Sequence, residues 1–528
     1  MRKTQEEPVV IIGAGIGGLA AALVLALRGV QVEVFESGAG PGGKLQPVKV
    51  GGTAFDGGPT VLTMRWVFDD LLSGCGARLD DVLGLSRSRL LARHFWSGGA
   101  QLDLFADAGE TAAGIETFAG SRDADGYRRF VRDSAAIFDT LRSTYIDAPC
   151  PTPLSLASRI GWQRPGAMLA LKPFASLWAA LGGYFSDPRL RQLFGRYATY
   201  CGSSPFAAPA TLMLVAHAER SGVWLVEGGM RALAAMLAGL CEQHGVAFHF
   251  NEPVTQILAS PADRAVAGVV TGKDRMVPAR RVIHNGDEAA LAALLDHRRR
   301  GEARPFAKRS LSALVACAVA RPQGLPLAHH NVFFGDDYAA EFDAIFARRA
   351  APADPTVYLC AQDRDDLGNP RDAARPDGER IYMLMNMPAD GDRKIYPESE
   401  RERCMTAMER RLAAGGLTLR HGLLPATVRA PDDFARAWPG SGGALYGMAT
   451  HGWTASFSRR GARGPISGLY LAGGSVHPGP GVPMAALSGK LAAKALLADA
   501  GLTEMSRPAD TGGTISTASA IAGNMRSR

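Results

Sequence analysis

The segment from Val9 to Glu36 constrains the fold of this 528-residue chain more than any other stretch. It opens with the apolar run Val9–Ile12, which is typical of a strand buried on both faces. Gly13, Gly15 and Gly18 follow in a G-x-G-x-x-G arrangement. The first glycine permits a tight turn, the second lets the backbone approach a pyrophosphate, and the third allows a helix to pack closely on the strand.

The residues after these glycines complete a βαβ unit. An Ala- and Leu-rich helix extends to about Arg28, and Gly29 stands where a helix C-terminus favours a left-handed residue. A second strand, Val30–Phe35, ends at Glu36, whose carboxylate can accept hydrogen bonds from an adenosine ribose. The helix N-terminus offers free N–H groups and a dipole to a diphosphate. The unit predicts dinucleotide binding, leaves FAD and NAD open, and disfavours a 2′-phosphate.

Length and composition indicate a globular protein with more than one domain. With 47% hydrophobic residues the chain can bury a sizeable core. Its start lacks the apolar region of a signal peptide, and no run reaches the roughly 18 apolar residues of a membrane-spanning helix. We therefore expect a protein that does not span a membrane, although it can rest on one.

The cysteines and the net charge indicate which bonds and binding partners the sequence favours. The seven cysteines are scattered and include no C-x-x-C pair, which suits a reducing compartment without disulfides and without a metal site. The net charge of +7 is compatible with anionic lipid or nucleic acid. Because the sequence has no recognisable nucleic-acid-binding signature, we expect no nucleic-acid partner.

Three later stretches add to the N-terminal unit. Glycine-rich loops occur at residues 38–44 and 55–60, where close backbone approach to a flat ligand is favoured. From Val223 the pattern is strand, Gly-Gly turn, helix and strand, which resembles a second visit to the same layer. Near the C-terminus a strand, Leu469–Ala472, leads through glycines into an Ala-rich helix. The N-terminus of that helix can face the pyrimidine edge of a flavin, where negative charge develops on reduction.

The segment Gly166–Phe185 is apolar nearly all round but is interrupted by Lys172, Pro173 and a pair of glycines. One interpretation is a core helix broken at Pro173. The other is a helix that lines an oily substrate channel or enters a membrane surface. The family resemblance described next favours the second interpretation.

Six motifs, in this order, resemble the FAD-dependent carotenoid desaturases, the phytoene-desaturase family within the wider amine-oxidase-like flavoproteins. They are VVIIGAGIGGLAAA, PGGK, FDGGPT, GVWLVEGGMRAL, AHHNVFFG and GLYLAGGSVHPGPGVPMAALSGKLAA, and the resemblance extends from Val9 to about Leu497. Lys44 stands where the family commonly has Arg, so the positive charge is kept without the planar fork. The stretches RYATYCGSSPF and LYGMATHGWTASFSRRGARGPISGLYLAGGSVHPGPGVPM most resemble the hydroxyneurosporene and methoxyneurosporene branch, the 1-hydroxycarotenoid 3,4-desaturases of purple bacteria.

The resemblance implies an α/β fold. Its Rossmann-like FAD-binding domain, of the amine-oxidase or glutathione-reductase type, is expected to combine residues 8–75, 221–290 and 461–502. Residues 76–220 are expected to form a helical cap at the substrate region, and residues 291–460 an antiparallel-sheet substrate domain. Residues 503–528, which are rich in Ser, Thr and Gly and have few large apolar side chains, are predicted to be a disordered tail.

The resemblance also implies the cofactor-binding residues. FAD is expected to contact Gly13, Gly15, Gly18, Glu36, Gly43, Lys44, Gly58, Pro59 and Thr60, with the backbone of Val254 on the adenine side. Near the isoalloxazine we expect Gly473, Gly474, Gly481, Val482, Pro483 and Met484.

The implied reaction removes two hydrogens from an allylic –CH2–CH2– unit and so extends a polyene. The flavin accepts a hydride, while a proton leaves the neighbouring carbon to a base or to water. His477 and Glu227 are candidate bases by position, and Lys172 is a candidate as a desolvated amine of lowered pKa. A structural role for His477 and a route without any protein base are the alternatives.

A carotenoid is insoluble, so its entry from a bilayer implies a peripheral contact of this cytoplasmic protein with the inner or intracytoplasmic membrane. Oxygen or a quinone is the expected electron acceptor. The alternatives within the family are phytoene desaturation and carotenoid isomerisation. More distant ones are an amine-oxidase-like enzyme for a small polar substrate and a non-catalytic lipid-binding relative, which the intact C-terminal flavin loop disfavours.

Overall fold

A computed structural model describes residues 7–161, 165–260, 262, 264–296, 298, 304–371, 378–421 and 426–502. The predicted tail at 503–528 lies outside the described residues. The strands are β1 (Val9–Ile12), β2 (Val32–Phe35), β3 (Pro47–Val50), β4 (Thr53–Asp56), β5 (Leu85–Arg87), β6 (Leu90–Phe95), β7 (Gln101–Phe105), β8 (Trp224–Val226), β9 (Ala247–His249), β10 (Val254–Ala259), β11 (Val266–Thr271), β12 (Met276–Pro278), β13 (Val282–His284), β14 (Ser312–Gln323), β15 (His330–Phe333), β16 (Val357–Ala361), β17 (Glu379–Met387), β18 (Thr418–His421), β19 (Thr427–Arg429) and β20 (Leu469–Leu471).

The helices fall mainly between residues 66 and 243 and at the C-terminal end. They are α1 (Ile16–Ala26), α2 (Trp66–Ser73), α3 (Leu79–Val82), α4 (Ala108–Ala119), α5 (Ser121–Leu141), α6 (Pro153–Ile160), α7 (Pro165–Ala170), α8 (Leu177–Leu181), α9 (Pro188–Gly195), α10 (Leu214–Arg220), α11 (Met230–Gln243), α12 (Leu291–Leu295), α13 (Tyr338–Asp343), α14 (Glu398–Ala414), α15 (Pro431–Ala437) and α16 (Val482–Asp499). Among the described residues no helix is both long and apolar enough to cross a bilayer.

A five-stranded parallel sheet, with the order β20-β13-β1-β2-β9, forms the first layer. All four residues of β1 are buried, as a central parallel strand requires. Helices α11 and α16 both pack against α1 on this sheet. Helices α1 and α16 cross closely at two glycines, because a Cβ on Gly489 would lie 2.0 Å from the Gly17 carbonyl oxygen.

An eight-stranded sheet forms the second layer, with the order β18-β14-β17-β16-β15-β6-β7 and with β19 paired to β14. It is antiparallel except where β15 pairs with β6 in parallel. Side chains of β14 alternate between two apolar clusters: Leu314 and Ala316 pack on the α14 side, and Val315 and Cys317 on the side of Phe55. Nine consecutive residues of β14 are buried, because both faces are covered.

Two elements differ from the expected organisation. The strands β6 and β7 belong to the large sheet, although the sequence placed this region with the helical cap. The strand at Trp224–Val226 pairs with β5, so only β9 of the Val223 stretch enters the parallel sheet. In both cases the pairing partner is distant in the chain, and hydrophobic periodicity carries no information on such partners.

Candidate active site

A cavity of about 1380 Å³ lies among the parallel sheet, the large sheet and the helices of the cap, and its wall is mostly apolar. Ile12 and Phe35 reach it from the carboxyl ends of β1 and β2, where ligands of parallel sheets bind. Val315 and Tyr358 line it from the large sheet, and Leu156 lines it from α6. Every predicted cofactor residue lines this cavity except Gly18, which packs behind the wall.

The glycine turn after β1 forms a tight cradle at one end of the cavity. A Cβ on Gly18 would lie 2.1 Å from the Gly13 carbonyl oxygen, so no larger residue fits without a backbone shift. Gly13 has a φ of +97°, which favours glycine. Gly15 caps α1 without a side-chain hydrogen bond. The first N–H groups of the helix therefore face the cavity end free to bind an anion.

Glu36 is held in place at the end of β2. Its Oε2 accepts a hydrogen bond from the Ala14 N–H at 2.8 Å, and its Oε1 accepts one from the Gly38 N–H at 2.7 Å. The Ser37 hydroxyl also donates to Oε1 at 3.1 Å. These bonds fix the carboxylate at the cavity wall, and Oε2 keeps a lone pair for a ribose hydroxyl. Val254, at the start of β10, lines the same end.

The second glycine loop is tied to the first. A Cβ on Gly58 would lie 2.0 Å from the Lys44 carbonyl oxygen, so the two loops touch through their backbones. The Lys44 Nζ donates to the Leu445 carbonyl oxygen at 2.5 Å and lies 5.1 Å from the centre of the Trp438 ring. Burial lowers the pKa of Lys44, although Asp287 opposes the shift.

Thr60 begins a hydrogen-bonded chain that runs from the cavity into the large sheet. Its Oγ1 lies 2.7 Å from the Tyr358 hydroxyl, which lies 2.7 Å from Nδ1 of His330. Burial lowers the pKa of His330 far below its ordinary value and raises that of Tyr358, so both groups are neutral near pH 7.

The C-terminal glycine loop brings the N-terminus of α16 to the cavity wall, close to the glycine cradle at the start of α1. Gly473 and Gly481 have φ values of +106° and +118°, which favour glycine. Gly481 caps α16 without a side-chain hydrogen bond, so the N-terminal N–H groups of that helix are also free. A Cβ on Gly17 would lie 2.9 Å from the Ala485 carbonyl oxygen, which shows how closely the two helix starts approach.

Asn285 is a wall residue that our sequence reasoning missed. It follows β13, and its Nδ2 donates to the Gly13 carbonyl oxygen at 3.1 Å. Its side chain also fills the space that a Cβ would occupy at Gly17 or Gly18. A signal was present, because a polar residue directly after a buried parallel strand lies at the ligand-binding edge of the sheet.

The three candidate bases all lie outside the cavity wall. The His477 Nε2–H donates to the Ala148 carbonyl oxygen at 2.8 Å, and burial lowers the pKa of the ring despite this contact. Glu227 is exposed to solvent and packs on Gly84. The Lys172 Nζ donates to the Tyr184 hydroxyl at 2.5 Å. The neighbours of Lys172 in the chain line the cavity, but its amine does not.

A buried charged cluster on the cap side of the wall also escaped the sequence reasoning. Its members are Arg196, Tyr197, Tyr200 and Glu219, of which all but Tyr197 line the cavity. Tyr200 donates to Oε1 of Glu219 at 2.7 Å, and Tyr197 donates to Oε2. The Arg196 Nη1 donates to the Tyr200 hydroxyl at 2.8 Å. Burial alone disfavours the guanidinium charge, but Tyr200, Glu219 and Tyr197 raise the pKa of Arg196 above its ordinary value.

Three potential metal ligands lie near the end of the Thr60 chain. Ligand atoms of His329, His330 and Cys360 lie within 4.8 Å of one another, and all three residues are buried. Nδ1 of His329 donates to the Arg364 carbonyl oxygen at 2.7 Å, and Nδ1 of His330 is occupied by Tyr358. These bonds account for one nitrogen of each ring, and we assign no metal to the group.

Residues 16–497 match the family model described as flavin containing amine oxidoreductase. The chain belongs to this family. A flavin held by a dinucleotide-binding fold is FAD, so the protein is an FAD-dependent oxidoreductase. The glycine cradle, the two uncapped helix starts and Glu36 fit the diphosphate and ribose of that cofactor.

Members of the family with known names cover almost the whole chain. A hydroxyneurosporene desaturase of Rubrivivax gelatinosus is 46% identical over 98% of this chain and 98% of its own. A 1-hydroxycarotenoid 3,4-desaturase of Flavobacterium is 31% identical over 92% of this chain and 98% of its own. Among solved structures, putrescine oxidase bound to putrescine has a TM-score of 0.58 at 16% identity, and covers 93% of this chain and 99% of its own. This structural similarity confirms the α/β fold that was predicted from the sequence.

Proposed function

We propose that this flavoenzyme desaturates an acyclic carotenoid, and that it forms the C3–C4 double bond of a 1-hydroxycarotenoid such as 1-hydroxyneurosporene. The observation that carries the proposal is the cavity, because a space of about 1380 Å³ with a mostly apolar wall suits a long hydrocarbon. The two named desaturases that cover almost the whole chain support the same substrate class.

The proposed reaction converts –CH2–CH2– into –CH=CH– with the loss of a hydride and a proton. When bound, FAD supplies the two-electron acceptor for the hydride. The protein residues bind, orient and exclude water. The residues proposed to hold the cofactor are Gly13, Gly15, Gly18, Glu36, Gly43, Lys44, Gly58, Pro59, Thr60, Val254, Gly473, Gly474, Gly481, Val482, Pro483 and Met484. Asn285 joins this set through its bond to Gly13.

The proposed proton loss does not use His477, Glu227 or Lys172, because none of them lines the cavity. Thr60 and Tyr358 do line it, and they are neutral hydroxyls joined to the neutral His330. Because His330 resists protonation, this chain cannot hold the proton, and the proton is proposed to leave to water. Oxygen or a quinone is proposed to reoxidise the flavin.

We also propose that the substrate enters from a membrane at an apolar rim, which we define as Leu154, Leu169, Phe174 and Trp453. These side chains are between 42% and 82% exposed. Phe174 and Trp453 line the cavity as well, and their ring centres are 5.8 Å apart. Large apolar side chains that are exposed beside an apolar cavity are typical of a membrane contact. The protein is thus proposed to work on the cytoplasmic face of the inner or intracytoplasmic membrane as a peripheral protein.

An anaerobic reduction tests the function. The FAD-loaded protein in liposomes is mixed with a 1-hydroxylated acyclic carotenoid, and separately with phytoene, while flavin bleaching and the polyene spectrum are followed. We expect bleaching and a red-shifted product with the hydroxylated substrate. Reaction with phytoene alone would replace the 3,4-desaturation by phytoene desaturation. An absence of bleaching with both substrates, despite bound FAD, would contradict desaturation and favour isomerisation or amine oxidation.

A further inference from the structure

The cluster of Arg196, Tyr197, Tyr200 and Glu219 places charged side chains beside a mostly apolar cavity, which is unusual. Arg196 is 8% exposed and Glu219 is 5% exposed, so both charges are removed from bulk water. Such a pair costs desolvation energy, and apolar residues of similar volume often serve stability at least as well. Stability alone therefore does not explain why charged side chains stand in this wall.

The hydrogen bonds of the cluster are also incomplete. Of the Arg196 nitrogens, Nε and Nη2 have no hydrogen-bond partner among the described residues, and Nη2 lies 3.8 Å from Oε1 of Glu219. Glu219 accepts hydrogen bonds from two hydroxyls, whereas a carboxylate can accept about four. The cluster thus retains both donor and acceptor capacity, and a buried charged donor without a partner is costly.

A substrate hydroxyl complements this remaining capacity. An alcohol accepts a hydrogen bond through its oxygen and donates one through its O–H, so it can pair with Arg196 and Glu219 at the same time. A methyl ether only accepts, and a hydrocarbon end group does neither. We propose that Arg196 and Glu219, held by Tyr200, bind the hydroxyl group at the end of the carotenoid and select for it.

The position of the cluster suits this role, which rests on the proposed function. In a 1-hydroxycarotenoid the oxygen is only a few bonds from C3 and C4, so its binding site must lie beside the reacting end of the chain. Val61 follows Thr60, lines the cavity and packs against the same apolar cluster as Tyr197. Tyr200 is also close enough to Tyr358, the partner of Thr60, to raise its pKa. The cluster is therefore near the loop proposed to hold FAD.

The test compares three carotenoids that differ only in the end group: the alcohol, its methyl ether and the hydrocarbon. Each is presented in vesicles to the full-length, FAD-loaded protein, and the rate of anaerobic flavin bleaching is measured. We expect the wild-type protein to favour the alcohol over the hydrocarbon by about 100-fold or more, with the ether between them, because a site that pairs a hydroxyl rejects analogues without it. Equal wild-type rates for all three carotenoids would overturn the inference while leaving desaturation in place.

Variants locate the selection in the cluster. The double variant Arg196→Met/Glu219→Gln removes both charges together, and we expect its alcohol-to-hydrocarbon ratio to fall below about 10 with FAD still bound. Tyr200→Phe removes the hydroxyl that holds both groups, and its ratio should fall about 10-fold. Tyr127→Phe is the matched control, since Tyr127 is a buried tyrosine of the cap outside the cavity wall, and it should keep the wild-type ratio.

The outcomes separate the two proposals. A double variant that binds FAD and keeps the wild-type ratio overturns the inference. If the double variant does not fold, an unchanged ratio in Tyr200→Phe overturns it instead. A wild-type protein that bleaches with none of the three carotenoids contradicts the proposed function itself, and the inference with it.

Discussion

At the scale of single residues, the glycine cradle makes the sharpest prediction. Gly18→Ala places a Cβ 2.1 Å from the Gly13 carbonyl oxygen, so the turn between β1 and α1 must shift. We expect the variant to lose about 1–3 kcal/mol of stability, as overpacked sites do, and to retain less than about a tenth of its FAD, because the cradle for the diphosphate is displaced. Flavin absorbance of the purified protein and its thermal unfolding measure both effects.

Gly40→Ala is the matched control for this variant. Gly40 lies in the neighbouring glycine-rich loop, and a Cβ there meets no atom within 4 Å. The control should bind FAD normally and unfold at the wild-type temperature. Full FAD content in Gly18→Ala would contradict the cradle.

Glu341 leads to a prediction of pH-dependent stability. Burial raises the pKa of this carboxyl from 4.5 to about 7, although hydrogen bonds from Thr356 oppose the shift. Because the native pKa is above the unfolded value, the raised pKa of Glu341 does not lower the free energy of unfolding below pH 4.5. The loss of stability grows as the pH rises from 4.5 through 7. The full cost, from this shift in pKa, is on the order of 3 kcal/mol.

Glu341→Gln removes this ionisation. As the pH rises from 5 to 8, we expect the free energy of unfolding of the variant to increase by about 1–3 kcal/mol relative to that of the wild-type protein. The reason is that only the wild-type residue must ionise in a buried site. Denaturant unfolding of both proteins at the two pH values measures the difference. A stability difference that is the same at pH 5 and pH 8 would show that the carboxyl keeps its ordinary pKa.

At the scale of secondary-structure elements, the apolar rim predicts membrane binding. Leu169→Ser/Phe174→Ser removes two apolar side chains that are 76% and 82% exposed. We expect the partition onto vesicles to fall at least 10-fold, since each lost apolar contact weakens insertion at the interface. Vesicle co-sedimentation at low and high salt measures this effect. Because the contact is mainly apolar, salt should change it less than the two substitutions do.

Met276→Ser supplies the control for the rim. Met276 is 67% exposed on β12, which forms a three-stranded sheet with β10 and β11. Its replacement removes the exposed apolar area of one side chain outside the rim and should leave vesicle binding unchanged. Equal losses in the rim variant and this control would point to general hydrophobicity rather than to a docking site.

The same scale shows what the sequence predicts well. The N-terminal βαβ unit and the helix Glu398–Ala414 follow from local patterns, since glycine spacing and hydrophobic periodicity act within a few residues. The α/β fold class was confirmed on this basis. The placement of β6 beside β15 was not predictable, because this pairing joins strands more than 200 residues apart.

The residues of the candidate site likewise fall into those that local motifs predict and those that only tertiary packing brings together. Residues of contiguous glycine motifs were predicted to share a site, and all but Gly18 line one cavity, although their contact with FAD stays a prediction. The cluster of Arg196 and Glu219 joins a turn and a helix that have separate local patterns, so only tertiary packing brings them together. His477 was proposed as a base because it is near the flavin loop in sequence, yet its ring points to Ala148. Sequence proximity gives a residue's position but not the direction of its side chain.

At the scale of the whole molecule, the loops proposed to hold FAD are tied to the large sheet and to the loop at Leu445. Gln362 on the sheet side exchanges two hydrogen bonds with the backbone of Asp56, at 3.1 and 2.9 Å. Thr60 bonds Tyr358, and Lys44 bonds the carbonyl oxygen of Leu445. The parallel sheet and the large sheet therefore meet through the same loops that are proposed to hold FAD.

This arrangement predicts that FAD stabilises both layers together. A ligand present at 100 times its Kd stabilises the native state by about 2.7 kcal/mol, provided that the unfolded chain does not bind it. We expect FAD to add about this amount to the apoprotein and to slow amide hydrogen exchange in β16 and its neighbour β17 as well as in β1 and β13. The reason is that ordering the Thr60 loop also orders its partner Tyr358 in the large sheet. Protection confined to β1 and β13 would show that the two layers unfold independently, and that FAD stabilises only the parallel sheet.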